Sequence, residues 1–134
     1  MDRANPTQQL VHDDFDTELA ALDEGLQDEL LAHAKLLAEF GPNLGRPTVD
    51  NLKGSRHANM KELRFAWIGK VWRVAFAFDP QRQAILLVGG DKAGKDQRRF
   101  YKRLIAIADN RYDGHLATLI ATQTKESEHG KNTR

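Results

Sequence analysis

Two arginines near the middle of the chain, Arg64 and Arg73, have the residue type and the spacing of an anion-binding site. They lie in residues 61–78, KELRFAWIGKVWRVAFAF, which has the pattern of a β-hairpin. Gly69-Lys70 is typical of its two-residue loop, because a type II′ turn requires glycine first. This register predicts that the arginines are diagonal neighbours, roughly 7–8 Å apart at the backbone and within reach of one ligand.

The alternation of side chains along a strand separates the arginines from the aromatic residues. The loop places Phe65 opposite Val74 on an apolar face. The arginines fall on the other face, whose remaining positions include Ala66 and Ala75. Because these neighbouring side chains are small, we expect this face to have room for an anion beside the arginines.

An arginine pair suits the chemistry of RNA cleavage. Guanidinium groups bind phosphate bidentately and stay charged, which stabilises the charge of a strand-cleaving transition state. Attack by the RNA's own 2′-hydroxyl needs no metal and no protein nucleophile, but it needs positioning and proton transfer by Lys, His or Tyr. Candidates to join the arginines in catalysis are Lys61, Lys92, Lys95, Tyr101 and His57. Candidates for RNA binding are Arg56, Arg98, Arg99 and Lys102.

Each candidate also has a purely structural interpretation. Arg64 and Arg73 can pair with Glu62 or Asp79 as ordinary surface-strand residues. Solvated loop or packing positions would equally explain Lys92, Lys95, His57 and Tyr101.

Length and composition limit the classes of protein. The 134 residues predict one domain, and the absence of cysteine excludes disulfides and thiolate metal sites. The five histidines have no metal-ligand spacing. No apolar run approaches the roughly 18 residues of a membrane span, and no signal peptide is evident. The sequence therefore predicts a cytoplasmic protein with no metal, cofactor or membrane partner.

Charge is distributed unevenly along the chain. Residues 1–50 hold 11 acidic and 3 basic side chains, whereas residues 51–112 hold 14 basic and 5 acidic ones. A basic half of this density is typical of a polyanion-binding surface. Mutual neutralisation of the two halves within the fold is the alternative.

The order of elements predicts an α+β fold in which N-terminal helices pack on a small antiparallel meander sheet, followed by a C-terminal helix. A single domain is expected at 9–120, with a flexible start at 1–8 and a disordered tail at 121–134. Predicted strands are 9–12, 61–68, 71–78 and 84–88, the last buried on both faces. Predicted helices begin at Asp13 or Asp14, span 25–40, and run from Asp96 to near Asn110, with loops at 43–59 and 89–95.

Two segments, GPNLGRPTVDNLKGSRHANMKELRF and WRVAFAFDPQRQAILLVGGDKAGKDQRRFYKRLIAIAD, resemble the RelE/HigB toxin superfamily, and within it the phage-derived, HigB-like toxins. The resemblance runs from about Gln9 to Leu119. It implies a RelE-like fold and a metal-independent mRNA endoribonuclease that acts on the ribosome and inhibits translation. It also implies a small cognate antitoxin, of the helix-turn-helix, HigA-like kind.

The resemblance also implies site residues. Arg64 matches the arginine of the family's K-x-K-L-R-like strand, and Arg73 matches that of its Y-R-V-like strand. The basic residue after the third strand matches Lys95, with Lys92 as a competitor, and the tyrosine of the last helix matches Tyr101.

One position departs from the family pattern. Glu62 stands where some relatives have a lysine, so Lys61 or His57 is left as the candidate general base. A non-enzymatic inhibitor of a protein target, as in the ParE branch, and a non-toxic phage-derived module that binds RNA or protein are the alternatives to a ribonuclease.

Overall fold

The computed structural model describes residues 8–92, 94 and 96–132. Its elements are β1 Gln8–Val11, α1 Asp13–Ala20, α2 Glu24–Phe40, β2 Val49–Asn51, β3 Lys61–Trp67, β4 Lys70–Phe78, β5 Gln83–Asp91 and α3 Gln97–Asn132. Of the predicted flexible start, only Gln8 is described, and it belongs to β1.

The five strands form one sheet in the order β1-β5-β4-β3-β2. Strands β2 to β5 make the antiparallel meander that the sequence predicts, which confirms the α+β prediction. The short β2 lies within the predicted loop 43–59, because Val49 is buried opposite Leu63 and ties this segment to β3. Strand β1 was predicted as a strand, and it pairs parallel to β5 at the far edge.

Helices cover both faces of the sheet. Helices α1 and α2 pack on one face, where Phe15 and Leu30 join Phe76 in a buried core. Helix α3 covers the other face, where Leu104 packs in a second core with Ala75. The face that carries the arginines is therefore the face against which α3 lies.

Strand β5 is buried between these layers, as its continuous apolar run predicts. Ala84 and Leu86 belong to the core under α1 and α2, and Ile85 and Leu87 belong to the core under α3. The strand runs on through Asp91, so the predicted loop at 89–95 begins later than expected.

The loop of the β3–β4 hairpin differs from the predicted one. Trp67 pairs with Lys70, so the loop residues are Ile68 and Gly69. Their φ angles are 45° and 73°, and positive φ at both central residues is the mark of a type I′ turn, not type II′.

This turn changes the predicted pairing without changing the faces. Phe65 lies opposite Trp72 instead of Val74, a shift of two residues along β4. A shift of one residue would exchange the faces, but a shift of two preserves them. Arg64 and Arg73 consequently lie directly opposite each other, and the predicted diagonal arrangement is wrong.

Helix α3 is longer than predicted. Asp96 caps its start as expected, since Oδ1 accepts a hydrogen bond from the backbone N–H of Arg99 at 3.1 Å. The helix continues past Asn110, the predicted end, because the buried Tyr112 extends its packing face. It runs to Asn132, where the sequence predicts a disordered tail, through a segment of mostly polar residues without proline.

Replacing Ile68 by Asn should stabilise the fold by about 1 kcal/mol, because a β-branched residue is strained at positive φ and asparagine tolerates it. Little packing is lost, since Ile68 is 77 % exposed. The midpoint of urea unfolding should rise. Ile68→Val, which keeps the branched β-carbon, should leave the midpoint near wild type. A midpoint of the Asn variant at or below wild type would contradict the assigned turn.

Candidate active site

Arg64 and Arg73 form a cross-strand pair at the hairpin end of the sheet. Directly opposite residues have backbones about 4.5–5.5 Å apart, closer than predicted. Ala75, predicted to give floor space, is instead fully buried in the core under α3. Ala66 is exposed, so the open side of the arginine pair faces the hairpin loop.

A buried carboxylate organises the pair. Glu62, two residues before Arg64 on the same face of β3, is only 3 % exposed. Its Oε2 accepts hydrogen bonds from Nε and Nη2 of Arg64 at 3.0 and 2.7 Å. Its Oε1 accepts a hydrogen bond from the hydroxyl of Tyr101 on α3 at 2.9 Å. Charged and polar donors thus compensate both oxygens of a carboxylate that has left water.

Arg64 is held by acidic residues on two strands. Besides Glu62, it lies near Asp50 of β2, with Nη2 3.7 Å from Oδ2. The hydrogen bond to Glu62, followed by the charges of Glu62 and Asp50, raises the pKa of Arg64. The pairing of Arg64 with Glu62 that the sequence allows is therefore present in the structure.

Arg73 is the less constrained cation. Its Nη1 donates to the carbonyl of Val71 at 3.1 Å, and its Cζ lies 5.9 Å from the ring centroid of Tyr101. Its Nε is buried and without a partner in the described part of the chain. None of the ion pairs found among the described residues includes Arg73. A ligand can approach only the terminal Nη groups of this half-buried side chain, because Nε has no access to solvent.

The predicted pairing of Arg73 with Asp79 is not found. Asp79 lies beyond the far end of β4. There it accepts hydrogen bonds from the backbone N–H groups of Gln81 and Gln83, and from the ring of His115 at 2.8 Å.

The side chain of Tyr101 extends from α3 to the arginine pair, where its ring lies beside Arg73 and its hydroxyl contacts Glu62. Burial, and then the hydrogen bond and the charge of Glu62, raise the pKa of its hydroxyl, while Arg73 acts in the opposite direction. The phenol is therefore protonated at neutral pH, and its proton points at Glu62.

The other predicted catalytic lysines occupy different places. Lys92 follows the end of β5, two residues after Gly90, which pairs with Arg73, so it is near the arginine strand. Lys95 lies outside the described residues. Lys61 falls on the opposite face of β3, by strand alternation, and donates to the side chain of Asn51 at 3.3 Å.

Helix α3 carries the predicted RNA-binding residues that follow the sheet. Arg98, Arg99 and Lys102 are all exposed in its first turns. Arg98 and Lys102 flank Tyr101 in sequence, whereas Arg99 lines a separate groove between α3 and β5 together with Arg103.

His57 and Arg56 belong to a different cluster. His57 places its Nε2 2.8 Å from Oδ1 of Asp113, and Arg56 is paired with the same carboxylate. Asp113 is twelve residues after Tyr101 on α3, or about 18 Å along the helix axis. The structure does not bring these residues to the arginine pair.

This second cluster anchors the 52–60 segment to α3. Asp109, buried on α3, accepts hydrogen bonds from the hydroxyl of Ser55 and the backbone N–H of Arg56. Hydrogen bonds from Arg56 and His57 lower the pKa of Asp113. The anchor fixes the chain just before β3, and so the position of Glu62.

Sequence reasoning assigned no functional role to Glu62 or Asp50. The signal for Glu62 was its place two residues before Arg64, which puts both on one face of the strand. Its burial depends on α3, far away in the sequence. Asp50 could not be placed because β2 was predicted as loop.

The described residues contain neither a metal-binding cluster nor a membrane-spanning helix. Among residues 8–92, 94 and 96–132, no group of three or more His, Asp or Glu side chains is arranged to hold a metal ion. Within the same residues, no helix has the length and apolar character needed to cross a membrane.

Residues 17–113 match the family described as "Phage derived protein Gp49-like (DUF891)". The Mycobacterium tuberculosis protein named "Putative toxin HigB2" is 43 % identical over 114 residues, which cover 84 % of this chain and 56 % of that protein. "Putative toxin HigB3", from the same organism, is 55 % identical over 83 residues, covering 62 % of this chain and 70 % of that protein. The chain thus spans little more than half the length of the first relative.

Among solved structures, a mutant of the E. coli toxin RelE in the free state has a similar fold, with a TM-score of 0.51. The match covers 75 % of this chain and 95 % of that one, at 10 % sequence identity. At this identity the likeness concerns the fold alone.

Replacing Asp109 by Asn should detach the 52–60 segment, because an amide cannot accept hydrogen bonds at both of its side-chain atoms. Trypsin should then cut after Arg56 faster than in wild type, as followed by mass spectrometry of the fragments. The exposed Asp28→Asn on α2 is the matched control and should not change this rate. An unchanged rate at Arg56 in a folded Asp109→Asn protein would show that the anchor does not hold the segment.

Proposed function

Because the chain belongs to the phage-derived Gp49-like family, within the RelE/HigB superfamily, we propose that it is the toxin of a toxin–antitoxin pair and acts as an mRNA endoribonuclease. The observation that carries the proposal is the cross-strand pair of Arg64 and Arg73 beside the hydroxyl of Tyr101. Fixed cations next to a proton-transfer group are what cleavage by a 2′-hydroxyl requires.

The residues of the pair have different environments and therefore different proposed roles. Arg73, which none of the ion pairs found among the described residues includes, contacts the scissile phosphate through its terminal Nη groups and stabilises the charge that builds up on it. Arg64, fixed by Glu62 and Asp50, contributes a rigid positive charge beside it. Tyr101 handles the proton of the attacking hydroxyl. None of these roles requires a metal ion.

The surrounding basic residues extend the site along an RNA backbone. Lys92 directly follows β5, Lys95 comes three residues later in the sequence, and either supplies a further cation near the phosphate. Arg98 and Lys102, exposed beside Tyr101 on α3, contact neighbouring phosphates. His57 and Lys61 are left out of this site because of where they lie.

The proposed partners follow from the substrate. Ribosome-bound mRNA presents a single strand whose cleavage stops translation, which places the protein in the cytoplasm. A small cognate antitoxin, of the helix-turn-helix, HigA-like kind, would hold the toxin inactive, and the names of the HigB relatives support it.

A non-enzymatic inhibitor of a protein target is the second candidate. The observation in its favour is the double engagement of Arg64 by Glu62 and Asp50, which offsets half of the positive charge in the pair. Arg73 separates the two candidates, because a protein-binding surface does not depend on a phosphate contact at this position.

Replacing Arg73 by Ala should leave the thermal midpoint nearly unchanged and lower the rate of mRNA cleavage by about 10²-fold or more, because it removes charge stabilisation in the transition state. Arg64→Ala should also lower the rate. Growth inhibition after induced expression should disappear together with the mapped mRNA ends. The matched control is Lys35→Ala, an exposed cation on α2, which should remain toxic. Full toxicity of both arginine variants would refute the proposal.

A further inference from the structure

Glu62 has an unusual position for an acidic side chain. It is almost completely buried, whereas carboxylates are rarely buried in proteins unless they are paired. Desolvation of a carboxylate is costly, and a well-packed apolar residue often serves stability as well or better. In this structure its oxygens accept two hydrogen bonds from Arg64 on one side and one from Tyr101 on the other.

This contact determines what the Tyr101 hydroxyl can do. A phenol has one proton to donate, and in the structure that proton is directed to Oε1 of Glu62. The lone pairs of the phenol oxygen are then left for another donor. Toward a substrate, Tyr101 is therefore an acceptor of a hydrogen bond rather than an acid.

We propose that Glu62 is a positioning residue that receives the proton of the attacking 2′-hydroxyl through Tyr101. The inference rests on the proposed ribonuclease function and deepens it. It assigns the base role to the residue that departs from the family pattern, where the sequence had pointed to Lys61 or His57.

The proposed step moves two protons and exchanges one phosphorus–oxygen bond for another. The 2′-oxygen gives its proton to the Tyr101 oxygen while Tyr101 gives its own proton to Oε1 of Glu62. The bond from the 2′-oxygen to phosphorus forms, the bond from phosphorus to the 5′-oxygen breaks, and the departing 5′-oxygen takes a proton from water. Glu62 then returns its proton to the solvent through Tyr101, which restores the starting state.

The surroundings favour a coupled transfer over a free tyrosinate. A negative phenolate next to the Glu62 carboxylate would be a repulsive pair, and this charge already raises the pKa of Tyr101. Transfer of the Tyr101 proton to Glu62 neutralises the carboxylate and removes that repulsion. Arg64 fixes Oε2, so that Oε1 remains aimed at the phenol.

The contact itself can be measured without RNA. The chain has two tyrosines, so Tyr112→Phe leaves Tyr101 as the single ionisable phenol. In this background, tyrosinate absorbance is followed against pH, with circular dichroism to verify folding. Adding Glu62→Gln should shift the titration of Tyr101 to lower pH, because a negative charge has been removed. The exposed Glu39→Gln is the matched control and should not shift it. An unshifted Glu62→Gln titration would overturn the proposal.

The proton relay from the 2′-hydroxyl through Tyr101 to Glu62 is tested by single-turnover cleavage of ribosome-bound mRNA, measured as a function of pH. Glu62→Gln should lose about 10²-fold in rate and lose the rise of the wild-type rate with pH, because the terminal base is gone. Adding Tyr101→Phe should cost little more, since both residues act in one path. Glu62→Asp, which keeps the carboxylate, should recover part of the rate.

The outcomes separate this inference from the function on which it rests. A Glu62→Gln profile parallel to wild type, or losses that multiply in the double variant, would overturn the relay and leave the nuclease in place. Absence of cleavage by the wild type would overturn both.

Discussion

The buried carboxylate of Glu62 is the contact on which the arrangement of the site depends. It joins β3 to α3, because it accepts hydrogen bonds from Arg64 on its own strand and from Tyr101 on the helix. The backbone of Glu62 also pairs with that of Asp50, which adds β2 to the arrangement. A buried carboxylate that lost one of these donors would be strongly destabilised. The positions of α3 and of the first arginine are thereby coupled.

The sheet also separates charge. Its apolar face is covered by α1 and α2, which lie in the acidic part of the sequence, while the arginines and the basic start of α3 are on the other side. Small residues at Ala75 and Ala108 allow α3 to approach the sheet closely there. Arg73 remains half-buried beside Tyr101 of α3, so part of a cationic surface is accessible next to a tightly packed core.

Local patterns predicted most of the fold. The alternation in β3 and β4 correctly separated Phe65, Trp72 and Val74 from the arginines, and the apolar run of β5 indicated burial on both sides. The expected apolar positions of Ile68 and Val71 are wrong, because both side chains are exposed. The loop was displaced by one residue because glycine supports more than one turn type. The pairing of β3 with β4 holds Ile68 at a positive φ although its side chain is exposed.

The site was less predictable because its contacts are long-range. Tyr101 and Glu62, and likewise His57 and Asp113, meet only because α3 returns across the sheet, and no local pattern encodes that return. The residue type of His57 suits a general base, but its ring contacts Asp113 in the anchor, about three turns along α3 from Tyr101. Glu62 departs from the cationic pattern of the sequence, but once α3 buries it, it contacts both Arg64 and Tyr101.

In the proposed reaction, the arginine pair, Tyr101 and Glu62 direct the RNA's own 2′-hydroxyl against its phosphate. This reaction fixes the chemical ends of the products, which mass spectrometry identifies after cleavage of ribosome-bound mRNA. We expect a 5′-hydroxyl on one fragment and a 2′,3′-cyclic phosphate, or the 3′-phosphate derived from it, on the other. We also expect no cleavage where a 2′-deoxynucleotide precedes the scissile phosphate. A 5′-phosphate, or cleavage at the deoxy position, would contradict this reaction.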